Sequence, residues 1–402
     1  MCEKKQKIYI VGIGPGTESM MTLEAKAVIE KSDCFLGAKR MGEVLLKECE
    51  KPFTALYKPE EIKAYIETHE ESQMISILVS GDVGFYSAAK KIRATLKEYQ
   101  VEMVPGISTL IYFAAKLQIS WEDFAFVSIH GRKQNLISAV KHNEKMAVLL
   151  DSKENAWEEF KKLSYYHMGE VLVYIGSRLS YKEEIIKVKK AEELTAEDFD
   201  NLSVAVIENP FYEREAVRHI KDEEFIRAKI PMTKEEVRTV CITKLELKKE
   251  GILYDVGAGT GSVGIEAALR SAHLQVFAVE KRTEAIALLE QNKQKFAADN
   301  LTIIEGEAPE VLKELPAPDC VFIGGSAGKL KSIVQAVKGK NAQVRIVITA
   351  ISLETLSEVM AFEKEGLCKE VEVVQIATAR AEKAGKSHLM KAENPIYIMT
   401  CM

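Results

Sequence analysis

Short apolar runs alternate with longer stretches of helical periodicity along almost the whole chain. Runs at 7–13, 34–36, 52–56, 74–80 and 101–104 read as buried strands. The stretches between and after them read as helices: Thr22 to about Lys31, from Lys39, Pro59 to Glu70, Ala88 to Glu98 and Ile107 to Leu117. Thr22 stands where a helix N-cap belongs. Strict alternation of this kind predicts an α/β fold with parallel strands.

From residue 124 the rhythm changes. Strands at 124–129, 146–150, 171–175 and 202–208, with helices near 136–142 and 153–165, have shorter connections. They predict a separate lobe with some antiparallel pairing. Residues 209–229 are charged, and Thr233 then opens a helix as the N-cap of a capping box closed by Glu236. Strands follow at 252–254, 274–279, 302–305, 319–323 and 344–349, with a closing pair at 369–377 and 396–401. Helices are expected at 263–269 and from Glu354. That order is a doubly wound seven-stranded sheet with an antiparallel final hairpin, in which ligands sit at the carboxyl ends of the strands. Two domains are expected, 1–215 and 216–402.

Composition narrows the function classes. The 402 residues are 47% hydrophobic, enough for ordinary packed cores. The net charge of −5 is spread evenly, with 33 basic and 37 acidic residues before position 231 and 22 and 23 after it. Neither half has the basic face of a nucleic-acid binder, so no nucleic-acid partner is expected. Seven dispersed cysteines without a C-x-x-C pair suggest reduced thiols, and so a cytoplasmic protein. No signal peptide, membrane span or metal-ligand cluster is expected.

Glycine loops carry the candidate chemistry. Asp255-Val256-Gly257-Ala258-Gly259-Thr260-Gly261 lies between a predicted strand and a predicted helix, and the next predicted strand ends in Glu280. Glycines let a ligand approach the backbone, and a helix start offers free N–H groups. A carboxylate at a strand end can accept from both hydroxyls of a ribose. Glu307 and Gly324 fall at two further strand ends. In the first half, loops at 12–16, 80–87 and 105–109 follow three predicted parallel strands and should meet at one sheet edge.

The Asp255 loop with Glu280 resembles the S-adenosylmethionine (SAM) site of class I methyltransferases. Its spacing, G-x-G-x-G, differs from the dinucleotide pattern. Ile10-Val11-Gly12-Ile13-Gly14-Pro15-Gly16, Ser80-Gly81-Asp82 and Val104-Pro105-Gly106-Ile107-Ser108 resemble the tetrapyrrole methylase family over roughly residues 7–210. Val83 departs from that pattern, which usually has proline there. The second half resembles the methyltransferase that acts with such a domain in corrin synthesis. The match runs through Met232-Thr233-Lys234, Glu236-Val237-Arg238, Gly306-Glu307-Ala308-Pro309-Glu310, Ile323-Gly324-Gly325-Ser326 and Leu353-Glu354-Thr355.

These resemblances imply an N-terminal two-lobed tetrapyrrole methylase fold and a C-terminal Rossmann-like class I SAM methyltransferase fold. They imply two SAM sites per chain and a small tetrapyrrole (precorrin) substrate. The first domain would methylate ring carbon 5. The second would methylate carbon 15 and decarboxylate the acetate arm on carbon 12. By position, Pro15, Gly81, Asp82, Phe85, Ser108 and Thr109 would line the first SAM site. Thr233, Gly257, Ala258, Gly259, Thr260, Gly261, Glu280, Glu307 and Ala308 would line the second. Substrate carboxylates need cationic partners, for which Arg132, Lys234, Arg238 and Arg380 are candidates. A homo-oligomer is expected. The rival readings are a nucleic-acid methyltransferase in the second half and a nicotinamide-dependent oxidoreductase.

Overall fold

The computed structural model of the protein describes residues 6–45, 51–129, 134–213 and 219–402. It divides into two compact units, the first formed by 1–133, 143–162 and 169–211, the second by 134–142, 163–168 and 212–402. The expected boundary at 215/216 lies at residues 214–218, outside the described residues.

The first unit opens with β1 (Lys7–Gly12), α1 (Leu23–Lys31), β2 (Cys34–Gly37), α2 (Lys39–Leu45), β3 (Phe53–Ala55), α3 (Pro59–Thr68), β4 (Met74–Val79), α4 (Ala89–Thr95), β5 (Gln100–Val104) and α5 (Thr109–Leu117). Its five strands pair in parallel in the order β3-β2-β4-β1-β5. Alternate residues of β1 serve opposite faces. Ile8 and Ile10 pack with Ile62 and Ile66 of α3, and Tyr9 and Val11 pack in a second cluster with Ala25 of α1. Thr22 caps α1, its hydroxyl accepting from the Ala25 N–H at 3.1 Å.

The chain continues through β6 (Ala125–Ser128), α6 (Leu136–His142), β7 (Lys145–Leu149), α7 (Lys153–Tyr165), β8 (Leu172–Ser177), β9 (Ile185–Lys190) and β10 (Ser203–Glu208). The sheet order is β6-β7-β10-β8-β9, antiparallel except for the β6–β7 pair. The mixed pairing read from the short connections is therefore present. Strand β9 was not foreseen: its run Ile185–Lys190 interleaves lysines and aliphatics on an edge, where burial imposes no pattern.

The second unit contains α8 (Glu235–Leu245), β11 (Glu250–Val256), α9 (Ser262–Arg270), β12 (His273–Glu280), α10 (Thr283–Phe296), β13 (Leu301–Glu305), β14 (Cys320–Ile323), α11 (Leu330–Lys340), β15 (Arg345–Ala350), α12 (Leu353–Lys364), β16 (Val371–Ile376), β17 (Ala379–Ala384), β18 (Ser387–Ala392) and β19 (Ile396–Cys401). Its seven-stranded sheet runs β13-β12-β11-β14-β15-β19-β16, with only β19 antiparallel to its neighbours. Residues of α8, α9 and α10 pack on one face with Leu253 and Phe322, and those of α11 and α12 on the other with Tyr254, Val321 and Ile323.

Three sequence expectations need correction here. Thr233 is not a helix cap: α8 begins one residue later than expected, after Lys234, with no side-chain cap. A separate two-stranded hairpin, β17–β18, interrupts the final pair, and it is too polar and exposed to register as strand in the sequence. Cys368 and Cys401 form a disulfide with Cα atoms 5.6 Å apart, where reduced thiols were expected. Cys34, Cys241 and Cys320 are free and buried. Among the described residues no helix is long and apolar enough to cross a membrane.

Candidate active sites

In the second unit, the carboxyl ends of β11 to β15 open into a cavity of about 460 Å³. The sheet topology makes this edge the place where consecutive loops separate. Thr233, Gly257, Ala258, Gly259, Glu280, Glu307 and Ala308 all line it, together with Asp255. Gly257 and Gly259 take φ of +72° and +56°, a backbone that side chains rarely adopt. A Cβ on Gly257 would stand 2.6 Å from the Gly325 carbonyl oxygen, so that position also has no room.

Two carboxylates face this cavity in different electrostatic states. Asp255 is 1% exposed; Oδ2 accepts from the Gly264 N–H at 2.8 Å, while Oδ1 has no partner among the described residues. Burial, reinforced by the nearby Glu280 charge and opposed by the Gly264 bond, pushes the Asp255 carboxyl up to about 7. Burial also works against the charge on Glu280, but the N–H groups of Arg282 and Gly259 outweigh it and hold the carboxyl below its usual range. Those bonds measure 3.0 and 2.9 Å. Glu307, at the exposed side, is pulled down to about 2 by Lys281 at 2.7 Å and Lys329 at 2.8 Å. A buried acceptor without a donor and a buried, fully ionised acid suit a ligand that brings a cationic group and hydroxyl donors, and SAM carries both.

Thr260 and Gly261 do not line the cavity. The Thr260 side chain is buried, and its carbonyl accepts from Asn292 Nδ2 at 3.0 Å. Gly261 precedes α9 at φ +78°, packed against Leu289. Both shape the loop instead of touching its contents.

The expected substrate cations fare unequally. Arg238 is a correction. It is fully buried, with Nε on Glu266 at 2.7 Å and Nη1 on Asp222 at 3.2 Å and on the Thr233 carbonyl at 2.7 Å. Nη2 bonds the Ile220 carbonyl. Its donors are committed inside the fold, leaving nothing for a substrate carboxylate. Lys234 and Arg380 remain partly exposed, Lys234 with Asp222 at 3.8 Å and Arg380 with Glu236 at 2.7 Å. Arg132 lies outside the described residues.

In the first unit the three glycine loops do converge. Gly14 and Gly81 exchange backbone hydrogen bonds, Gly14 N–H to Gly81 at 3.2 Å and Gly81 N–H to Gly14 at 2.8 Å. A Cβ on Gly12 would meet the Gly106 nitrogen at 2.7 Å and the Gly81 oxygen at 2.8 Å. Asp82 staples two loops, Oδ1 accepting from Gly84 N–H at 2.8 Å and Oδ2 from Gly106 N–H at 3.1 Å. A cavity of about 490 Å³ lies beside them. Pro15 and Thr109 line it, joined by Arg40, Arg178 and Tyr181. Gly81, Asp82, Phe85 and Ser108 do not. Ser108 is buried as the cap of α5, and Phe85 packs edge-on against Phe126.

Residues 7–195 match the family of tetrapyrrole (corrin/porphyrin) methylases, and residues 224–402 match a precorrin methyltransferase domain. The second half is 44% identical over 185 residues to the probable cobalt-precorrin-6B C(15)-methyltransferase (decarboxylating) of Pyrobaculum calidifontis, an alignment that spans 45% of this chain and 94% of that protein. This chain belongs to the decarboxylating precorrin C-methyltransferases. Both halves of this methyltransferase align with the precorrin-6Y C(5,15)-methyltransferase (decarboxylating) of Sinorhizobium sp, at 24% identity over 351 residues, 86% of this chain and 85% of that one. A crystal structure of precorrin-6Y C5,15-methyltransferase from Geobacter metallireducens GS-15 is also similar, at 38% identity, 46% of this chain, 96% of that chain and a TM-score of 0.44. These relatives favour neither the nucleic-acid nor the nicotinamide reading.

Sequence reasoning missed several cavity residues of this precorrin methyltransferase. Pro231 and Met232 wall the glycine loop, with the Pro231 oxygen 3.1 Å from where a Gly259 Cβ would stand. Met232 stood in the matched motif Met232-Thr233-Lys234 without being assigned to the site, and Pro231 had only its adjacency to that motif. Arg40 and Tyr181 had no signal: Arg40 sits in α2 outside every motif read from the sequence, and Tyr181 follows a strand 165 residues after Gly16, on which its ring lies.

Proposed function

We propose that the two units are two SAM-dependent C-methyltransferases in one chain. The first methylates carbon 5 of a precorrin. The second methylates carbon 15 and releases carbon dioxide from the carbon-12 acetate. The observation that carries this reading is the pair formed by Asp255, buried with a free oxygen, and Glu280, buried and ionised, on one cavity wall. The activities for which the relatives are named, C(15) for the half-length one and C(5,15) for the one aligned over both halves, support the division of labour.

In the second unit, SAM would supply an electrophilic methyl group on a sulfonium. Asp255 would hold a cationic group of the cofactor, and Glu280 would accept from its ribose. The glycine loop would let the cofactor lie close against the backbone, because Gly257 and Gly259 carry no side chains there. Transfer to an electron-rich ring carbon is an in-line displacement, so these residues act by positioning and by keeping water out. Lys234 and Arg380 are the described cations we assign to the substrate's carboxylate arms, with Arg132 for the first unit. In the first unit Pro15, Thr109 and the Asp82-stapled loops would hold the cofactor. Loss of carbon dioxide needs no dedicated residue, because the adjacent macrocycle accepts the electrons. A Lys234→Ala variant that methylates carbon 15 yet releases no carbon dioxide would refute that point.

Isothermal titration with SAM tests the reading: two sites per chain are expected, and one or none rejects it. The reading includes a cytoplasmic location, a homo-oligomer and no nucleic-acid partner. Light scattering showing a monomer, or salt-sensitive RNA binding, would remove the corresponding part.

A further inference from the structure

The cavity of the second unit has more wall than the cofactor reading uses. Thr233, the glycine loop, Glu280, Glu307 and Ala308 account for one side. Another part is formed by residues 324–327, on the loop that leaves β14, and by 349–351, at the end of β15 and the start of the loop that follows it. On the second of these loops Ile351 is 70% exposed, and Leu353, two residues on, is 65% exposed. A single exposed aliphatic side chain is ordinary. Here one lines a cavity and a second stands beside it.

The turn between them is well anchored. The Ser352 hydroxyl accepts from the Thr355 N–H at 3.2 Å as the cap of α12 and exchanges a hydrogen bond with the Thr355 hydroxyl at 3.0 Å. The polar residue is thus used internally while its two apolar neighbours stand in water. Elsewhere the cavity's edge is charged, with Lys281 paired to Glu307 at 2.7 Å. An apolar lip at the β15 end of the cavity and a charged edge at its β12–β13 end fit a ligand with an apolar face and an anionic rim, and a tetrapyrrole has that form: a broad conjugated ring with carboxylate arms at its periphery.

We propose that Ile351, with Leu353 beside it, is the shelf on which one face of the macrocycle lies while its reacting carbon is presented to the cofactor. This rests on reading the cavity as a SAM site. The occupant is the tetrapyrrole and not a protein, because Ile351 itself lines the cavity: a second copy seated on it would bar the methyl acceptor.

The test uses the full-length protein with SAM and the reduced precorrin, comparing Ile351→Ser with Ile351→Leu. The serine variant should raise the KM for the tetrapyrrole in carbon-15 methylation about tenfold. Its affinity for SAM and the carbon-5 rate should stay at wild-type values, and the leucine variant should restore the KM. An unchanged KM in the serine variant overturns the shelf. So does parallel loss of SAM affinity, or a change in molecular mass that marks Ile351 as an interface between copies. If the wild-type chain itself fails to methylate carbon 15, the cavity reading falls. If it methylates and the serine variant matches it, only the shelf falls.

Discussion

Arg238 and Glu266 meet at 2.7 Å with neither side chain more than 1% exposed. Glu266 Oε1 also bonds His219 Nδ1 at 2.6 Å, and Asp222 takes Arg238 from the other side. Arg238 in turn holds the carbonyls of Ile220 and Thr233. Asn292 completes the arrangement, accepting from the Ile226 N–H at 2.8 Å and donating to the Thr260 carbonyl at 3.0 Å. The segment from His219 to Thr233 is thereby tied both to α9 and to the glycine loop. Arg238 shapes the cavity from behind.

Removing the charge from Arg238 takes away the buried cation between Glu266 and Asp222. It leaves Glu266 with Arg270 at 3.3 Å and Asp222 with Arg380 at 3.5 Å and Lys234 at 3.8 Å, cations that are all partly exposed. Arg238→Met should lower the stability of the second unit by about 3–5 kcal/mol, read from urea unfolding. A variant that unfolds like wild type but binds the tetrapyrrole more weakly would return Arg238 to the substrate.

If Asp255 holds the cationic group of SAM as proposed, binding in the second unit should depend on pH. With its folded value raised to about 7, the group favours the folded state when protonated. That stability is present at acid pH, below the unfolded value, and is lost as pH rises through about 7. A cationic ligand selects the ionised form. SAM affinity should therefore rise about tenfold from about pH 6 to about pH 8, following the ionised fraction. Titration calorimetry across that range checks the slope. Asp255→Asn should flatten it.

The two methylations should separate by mutation. Gly257→Val places a Cβ 2.6 Å from the Gly325 carbonyl at a φ of +72°. Carbon-15 methylation and carbon dioxide release should fall by at least about a hundredfold, while carbon-5 methylation continues. Product masses after single turnovers report both steps. Equal loss of both methyl groups would contradict two independent sites.

Asp82→Ala should act on the first unit alone. It removes the acceptors for Gly84 and Gly106 N–H and unties the loops at the edge of β4 and β5. We expect about 1–3 kcal/mol lost from that unit and a slower carbon-5 step. Separate rates for the two methyl groups, together with the unfolding curve, decide it. An unchanged carbon-5 rate would reduce the staple to a bystander.

Much of this was legible in the sequence because period and punctuation agree. Ile8 to Val11 is a continuous apolar run, Ile252 to Val256 is apolar but for Asp255, both are followed by glycine, and each became a central strand feeding a ligand-side loop. Asp255 and Glu280 were legible as strand-end acids. Their opposite electrostatics were not, since these depend on which N–H groups reach each carboxylate. Arg238 misled because an arginine beside a site motif reads as a ligand when Glu266, 28 residues away, cannot be seen as its partner. Thr260 and Gly261 belong to the motif, but they face the fold and not the cavity. The β17–β18 hairpin escaped because all of β18, from Ser387 to Ala392, is exposed, so no buried face imposes alternation.

The most direct test incubates the full chain with SAM and the reduced precorrin and follows the tetrapyrrole by mass spectrometry. Two methyl groups gained and one carbon dioxide lost are predicted, and the Gly257→Val variant should yield a product with one added methyl and its acetate intact. A wild-type product with a single methyl, or two methyl groups with the carboxylate retained, would contradict the account.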